Sequence, residues 1–326
     1  MPYQLCVIGC GTMGVAVLSG VIEGLSHPHH SSSGENANAT TESGPSTPMG
    51  SLILDSVHDS ASLPNRFIAT VNRAESARKL RKTFLQLGGV GPSVQVRQAS
   101  ENVQSVAESD VVLLCCKPQM AAHVLLAPGM AQALEGKLLI SILAGTTIAM
   151  MREWVPNSCT VVRSMPNTPS KIREGMIVVS SLDPKDPKTP VQRDILMALF
   201  TPIGRCRFMD EKHFDAVTAV CGSGPAFVCV VLEAMADGGV MMGLPRSEAL
   251  ELAAQTMQGA ARMVLQTGIH PAALKDSVTT PGGCTIAGLL ALEDARTRSA
   301  IARCVQTTAQ HAAGLGKTDP SGVSPK

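Results

Sequence analysis

Hydrophobic positions change their spacing along this chain, and the change divides it in two. Residues 4–8 (QLCVI) form a short apolar run closed by a glycine turn, the pattern of a buried strand. Val15, Val17, Leu18, Val21 and Ile22 then recur as the face of one helix, ending near Gly24. Further strands are expected at 66–72, 94–96, 110–115, 138–142 and 159–164. Helical spacing separates them at 74–87 and 120–134, with a break at Pro128. These strands are apolar throughout, which predicts an α/β fold with a parallel sheet covered on both faces. After about residue 210 strand-like runs stop. Residues 224–242, 246–267, 285–294 and 296–313 are long, Ala/Leu/Met-rich and helically periodic, with Gly243, Gly268 and Gly314 placed as helix C-terminal glycines. The expected organisation is a Rossmann-like dinucleotide-binding domain over 1–210, an all-helical domain over 211–316 and a disordered tail over 317–326. Helices apolar nearly all round need more partners than four helices offer, and a homodimer supplies them.

Residues 26–65 interrupt the pattern. They are rich in Ser, Thr, Asn, Gly and Pro and read as a disordered insertion between the first helix and the second strand. His27, His29 and His30 lie in it with no carboxylate or Cys to frame them, so a solvated segment is expected rather than a metal site. Asn38-Ala39-Thr40 fits a glycosylation acceptor, moot in a cytoplasmic protein.

Composition narrows the partners. A formal net charge of +1 gives no electrostatic reason to bind nucleic acid or an anionic membrane. Aromatic residues are only 2% of the chain, too few for a base-stacking platform. The ten cysteines contain no Cys-x-x-Cys pair and read as free thiols in a reducing compartment. Cys115 and Cys116, adjacent in an apolar run, are expected on opposite faces of a buried strand. No leader-like start and no apolar run of about 20 residues are recognised, so a cytoplasmic protein is the expectation.

Four constellations carry chemistry. Gly9-Cys10-Gly11-Thr12-Met13-Gly14 lies between a strand and a helix. Its first glycine suits a tight turn, its second admits a pyrophosphate, and its third lets the helix pack on the sheet. The second strand ends in Asn72-Arg73. An acidic residue there would bind the ribose of NAD; Arg73 can pair with a 2′-phosphate instead, which favours NADPH and leaves NADH as the alternative. Glu75, two residues on, keeps a solvated Arg73 in play. Cys116-Lys117-Pro118 and Leu143-Ala144-Gly145 close later strands, where open α/β sheets bind ligands. Last, Asp276 to Thr285 runs through two glycines and several hydroxyls into a helix. This is either a nest of amide donors for a substrate carboxylate or an ordinary helix start with Thr285 as N-cap. No metal site is expected.

Together these segments resemble the pyrroline-5-carboxylate reductases, of the fungal type. The matching stretches are VIGCGTMG (7–14), CKP (116–118), RSMPNTP (163–169), CGSGPAF (221–227), EAMADGGVMMGLPR (233–246) and LKDSVTTPGGCTIAGL (274–289). The resemblance implies NAD(P)H bound by the first domain, a helical domain that forms dimers or larger assemblies, and 1-pyrroline-5-carboxylate as substrate. It also implies that Thr285 offers its hydroxyl to the imine nitrogen. The amides of Gly282, Gly283 and Cys284, with Thr280, would hold the carboxylate. Met165 to Pro169 would form a wall joining cofactor to substrate, with Asn167 and Thr168 as its polar groups. Two rivals are weighed, another enzyme on the same architecture (a 3-hydroxyacid dehydrogenase or a reductase of another cyclic imine) and a non-catalytic protein. A 3-hydroxyacid dehydrogenase wants a catalytic lysine on the first long interdomain helix, and residues 222–242 hold none. A homologous cyclic imine stays open as substrate, since one methylene is worth only about 1–3 kcal/mol in a pocket. A non-catalytic NADPH sensor would not need the loop from Thr280 to Thr285 intact.

Overall fold

A computed structural model describes residues 2–26 and 63–315. Of the insertion expected over 26–65, residues 27–62, with the three histidines and the 38–40 acceptor, lie outside the described residues, as does the tail expected at 317–326, whereas Ser26 ends the first helix and Pro64 opens a strand.

One eight-stranded sheet has the order β3-β2-β1-β4-β5-β6-β7-β8. Its strands are β1 (Tyr3–Ile8), β2 (Pro64–Val71), β3 (Gln95–Gln98), β4 (Val111–Leu114), β5 (Leu138–Ser141), β6 (Thr160–Met165), β7 (Gly175–Ser180) and β8 (Gly204–Met209). The first six pair in parallel, in the doubly wound order that reverses between β1 and β4. The wholly parallel sheet expected from sequence is extended by β7 and β8, and β7 joins β6 antiparallel.

Alternation along β1 explains the two-sided core. Leu5 and Val7 face α1 (Thr12–Ser26), α2 (Ala74–Leu87) and the later helix Thr189–Phe200, among Leu18, Ile22, Phe84 and Phe200. Cys6 and Ile8 face the other layer with Val112, Leu114, Leu125 and Leu139. Cys115 packs with the first cluster and Cys116 with the second, so the adjacent thiols do diverge. A third, smaller cluster caps the carboxyl ends of the strands: Met165, Val178, Phe214 and Val217, with Ala144 and Cys221 against them.

The described residues fall into two compact units, 2–26 with 63–225 and 305–315, then 226–304. Chain contacts therefore divide after Pro225. The physical reason is the third cluster, which binds Phe214 and Val217 to the sheet. The second unit contains Gly224–Met241 in its main part, Arg246–Thr267, Pro271–Ser277, Cys284–Asp294 and the start of Thr297–Leu315. Among its described residues only small ones are buried, Ala236, Ala249 and Ala253, and a Cβ on Gly239 would stand 3.2 Å from that of Ala249. Gly243 and Gly268 take positive φ at helix ends, and Gly314 is the last residue but one of the described helix Thr297–Leu315. The helical run Glu211–Met241 is long and apolar enough to cross a membrane, which corrects the expectation that no such run exists.

Candidate active site

The turn after β1 shows why each glycine is there. Gly9 has φ +72°, and a Cβ on it would meet the Cys116 backbone at 2.9 Å. The neighbouring amides are anchored to β2: Cys10 donates to the Thr70 carbonyl at 2.8 Å and Gly9 to the Thr70 hydroxyl at 3.4 Å. Gly14 faces Val7, Cys10 and Cys115, with a Cβ contact as short as 3.1 Å, so α1 lies close against the sheet. Gly11 is different: a Cβ there would meet only the Gly9 carbonyl, at 3.8 Å, and its outer side is open. Thr12 starts α1, whose first turn carries no acidic residue. The residues present thus fit a dinucleotide pyrophosphate: a tight turn, an open approach and a helix N-terminus free of negative charge.

At the end of β2, Asn72 and Arg73 are exposed. Arg73 is extended (φ −108°, ψ 137°) just before α2, and its side chain caps nothing. It makes no ion pair with Glu75 or any other carboxylate among the described residues. Its guanidinium is left for an external anion.

Along the crevice, Cys116, Lys117 and Pro118 follow β4, with Lys117 exposed. Ala144 and Gly145 follow β5; Gly145 takes φ +72° and is buried. Thr147 then caps the short helix Ile148–Arg152 by accepting from the Met150 amide. Burial pushes the Cys116 thiol up to about 11 and the Cys10 thiol up to about 12, so neither is a thiolate at neutral pH. Neither sulfur is a nucleophile at neutral pH.

Beyond β6, Asn167 is buried, and its Oδ1 accepts from the Met176 amide at 3.0 Å. That oxygen holds β7 in place, and only the side-chain NH2 remains for a ligand. Thr168 beside it is exposed. Sequence reasoning did not single out Arg163 and Glu211. They form an ion pair of 2.9 Å at the base of this wall, with the Arg163 side chain only 3% exposed. A lone arginine within an apolar strand was the signal that could have found them.

In the second unit, Thr280 to Gly283 forms a turn closed by Gly283 N–H donating to the Thr280 carbonyl at 3.0 Å. Pro281 followed by Gly282 at φ +67° is the order a type II turn uses. The Gly283 amide is therefore spent inside the loop, which corrects its expected use as a carboxylate donor. A Cβ on Gly283 would crowd the Thr280 hydroxyl and stand 3.2 Å from the Thr280 carbonyl oxygen, so the turn is tight there. Gly283, not Thr285, stands at the N-cap, with no side-chain cap. Thr285 is the second residue of the helix Cys284–Asp294, half-buried, and its hydroxyl makes no hydrogen bond among the described residues. The amides of Gly282 and Cys284 and two hydroxyls, Thr280 and Thr285, are what this loop offers.

A Rossmann-like sheet with an open glycine turn, followed by an all-helical unit, defines the class of two-domain dinucleotide-binding proteins. Comparison with known proteins narrows it. Residues 211–315 match the family described as pyrroline-5-carboxylate reductase dimerisation, and 48–145 match that described as NADP oxidoreductase coenzyme F420-dependent. Pyrroline-5-carboxylate reductase from Schizosaccharomyces pombe is 46% identical over 96% of this chain and 99% of its own length. That from Lophium arboricola is 44% identical over 96% and 93%. The fold is shared with a Coxiella burnetii pyrroline-5-carboxylate reductase structure, TM-score 0.74 at 24% identity over 98% and 100% of the two chains. It is shared too with the Plasmodium falciparum pyrroline carboxylate reductase solved with NADP bound, TM-score 0.72 at 23% identity over 97% and 98%. The chain belongs to the pyrroline-5-carboxylate reductase family.

Proposed function

We propose that this protein reduces 1-pyrroline-5-carboxylate to L-proline at the expense of NADPH. The near end-to-end match to pyrroline-5-carboxylate reductases carries this reading. When bound, the reduced nicotinamide supplies a hydride to the imine carbon. The C=N electron pair moves onto nitrogen, which ends protonated as the secondary amine of proline. The chain's own work is positioning and exclusion of water. The turn from Gly9 to Gly14 holds the pyrophosphate: Gly9, Cys10 and Gly11, whose amides are bonded within the sheet and the turn, shape it, and Thr12, Met13 and Gly14 offer their amides at the helix start. Arg73, with Asn72, receives the 2′-phosphate, the reason to prefer NADPH over NADH. Cys116, Lys117, Pro118, Ala144 and Gly145 line the nicotinamide half. The Gly282 and Cys284 amides and the Thr280 hydroxyl hold the substrate carboxylate. The Thr285 hydroxyl accepts from the protonated imine and orients it.

Two copies associate through residues 211–315, covering helices that a single chain leaves exposed. This accounts for the apolarity of Glu211–Met241 without a membrane, and we place the enzyme in the cytoplasm. The test is oxidation of NADPH and of NADH by the purified protein with racemic 1-pyrroline-5-carboxylate, followed by proline quantification. Stoichiometric proline, with NADPH the better donor, is expected. A folded protein that binds NADPH and makes no proline would overturn the reading.

A further inference from the structure

Arg163 is the buried charge that the reductase mechanism does not use. It lies on β6 with its side chain 3% exposed. Its Nη1 donates to Glu211 Oε1 at 2.9 Å, and its guanidinium stacks over the Phe214 ring at 4.8 Å. Its backbone amide donates to the Ser180 hydroxyl on β7 at 3.0 Å. Its Nη2 is buried without a partner among the described residues. A guanidinium so placed pays desolvation that one ion pair and one ring do not fully return. Apolar residues of the same size would serve stability as well. The arrangement therefore calls for a geometric explanation.

Glu211 supplies one. The same Oε1 that takes Arg163 also accepts from the Ile148 amide at 2.8 Å. A single carboxylate oxygen thus ties together the first residue of the helix after the Ala144–Gly145 loop, the end of β6, and the segment leading to Phe214. Those are the two sides of the nicotinamide half of the crevice: Ala144 and Gly145 on one, Met165 and Asn167 on the other. The third hydrophobic cluster, Met165 and Phe214 with Ala144 against them, fills the space between.

We propose that Arg163 and Glu211 are a positioning pair, holding the loop after β5 and the wall after β6 at the separation that hydride transfer to the imine requires. The proposal rests on the reductase reading above. Neither residue touches the reacting atoms. Both act through the backbone of Ile148 and the end of β6, so their removal changes turnover more than it changes folding.

The test replaces the pair by apolar residues of similar length, Arg163→Met with Glu211→Met, leaving no buried charge uncompensated. Thermal midpoint, kcat, KM for each substrate and hydrogen–deuterium exchange over 144–150 are measured beside the parent. The expected result is a folded protein with a midpoint near the parent's. Its kcat is lower by about tenfold or more, KM for NADPH changes less, and exchange at the Ile148 amide is faster. Parent kcat and parent exchange in the folded double variant would overturn the proposal. Should that variant not fold, Arg163→Lys decides. An ammonium keeps the charge but loses the stacked, planar fork, so a several-fold loss of kcat in a folded protein is expected and an unchanged kcat overturns it. A parent that makes no proline refutes the reductase reading instead, and the exchange measurement then judges the clamp alone.

Discussion

Gly9, Gly11 and Gly14 are chemically identical, and their surroundings give them three separate tasks. At Gly9 a side chain is barred by φ and by the Cys116 backbone, at Gly14 it would crowd the helix–sheet contact, and at Gly11 nothing in the protein itself opposes it. That vacancy is the space a pyrophosphate needs. The spacing was legible in sequence because it follows from one local turn. The use of the Gly283 amide was not, because it depends on the φ of Gly282. Two predictions belong at this scale. Thr285→Ala removes a hydroxyl with no internal partner, so stability is kept. Turnover falls by roughly 10–100-fold while NADPH affinity, read by fluorescence titration, changes little. Arg73→Asp places a carboxylate where the 2′-phosphate is expected. The ratio of kcat/KM for NADPH over NADH then falls by about tenfold or more, as the loss of one charge-assisted bond implies. A ratio unmoved by the change would mean that Arg73 is a solvated surface residue.

Elements whose apolar runs lie between clear helices were read correctly: β1, β2, β4, β5 and β6 all stand where the spacing puts them, within a residue or two. The strands β7 and β8 were not. Each opens on a glycine, and each is a strand only because its neighbour is. Gly175 and Gly204 sit opposite each other in register, and a Cβ on Gly204 (φ +149°) would lie 2.1 Å from the Gly175 carbonyl oxygen. Backbone approaches backbone there, which no propensity records. Gly204→Ala is expected to pry the two strands apart at their start and to cost about 1–3 kcal/mol, seen as a lower urea midpoint. An unchanged midpoint would show that the strand ends part without loss.

Across the whole molecule the two units contrast. The sheet unit buries large side chains on both faces. In the helical unit Val230 is 65% exposed and Leu252 56%, and among its described residues only alanines are buried. Such helices find their apolar partner in a second copy, as membership of a dimerisation family implies. Sedimentation is expected to give a dimer or larger assembly at micromolar concentration, and a stable monomer would contradict it. The sheet unit also holds thiols whose ionisation folding suppresses. Burial raises Cys6, Cys10 and Cys206 to about 12, and Cys116 and Cys159 to about 11, from 9.0. A pKa raised by folding favours the folded state fully below the unfolded value and loses that advantage as pH climbs toward the folded one. Each such thiol then withdraws on the order of 1 kcal/mol by one unit above its ordinary pKa. The urea midpoint should hold from pH 7 to 8.5 and fall steeply by pH 10. A flat profile would mean that these thiols ionise in place.

What the sequence determined by itself was everything carried by short range: strand and helix periods, the glycine turn, the character of residue 73 and the loop ahead of Thr285. Each follows from neighbours a few positions apart, where sterics and hydrogen-bond geometry act directly. The tertiary structure alone decided which polar groups are already spent. Asn167 Oδ1 holds Met176, Gly283 closes its own turn, and Glu211 reaches across 63 residues to the Ile148 amide and 48 to Arg163. Such pairings join atoms far apart in the chain, and they form only once the core has fixed the distance between their backbones.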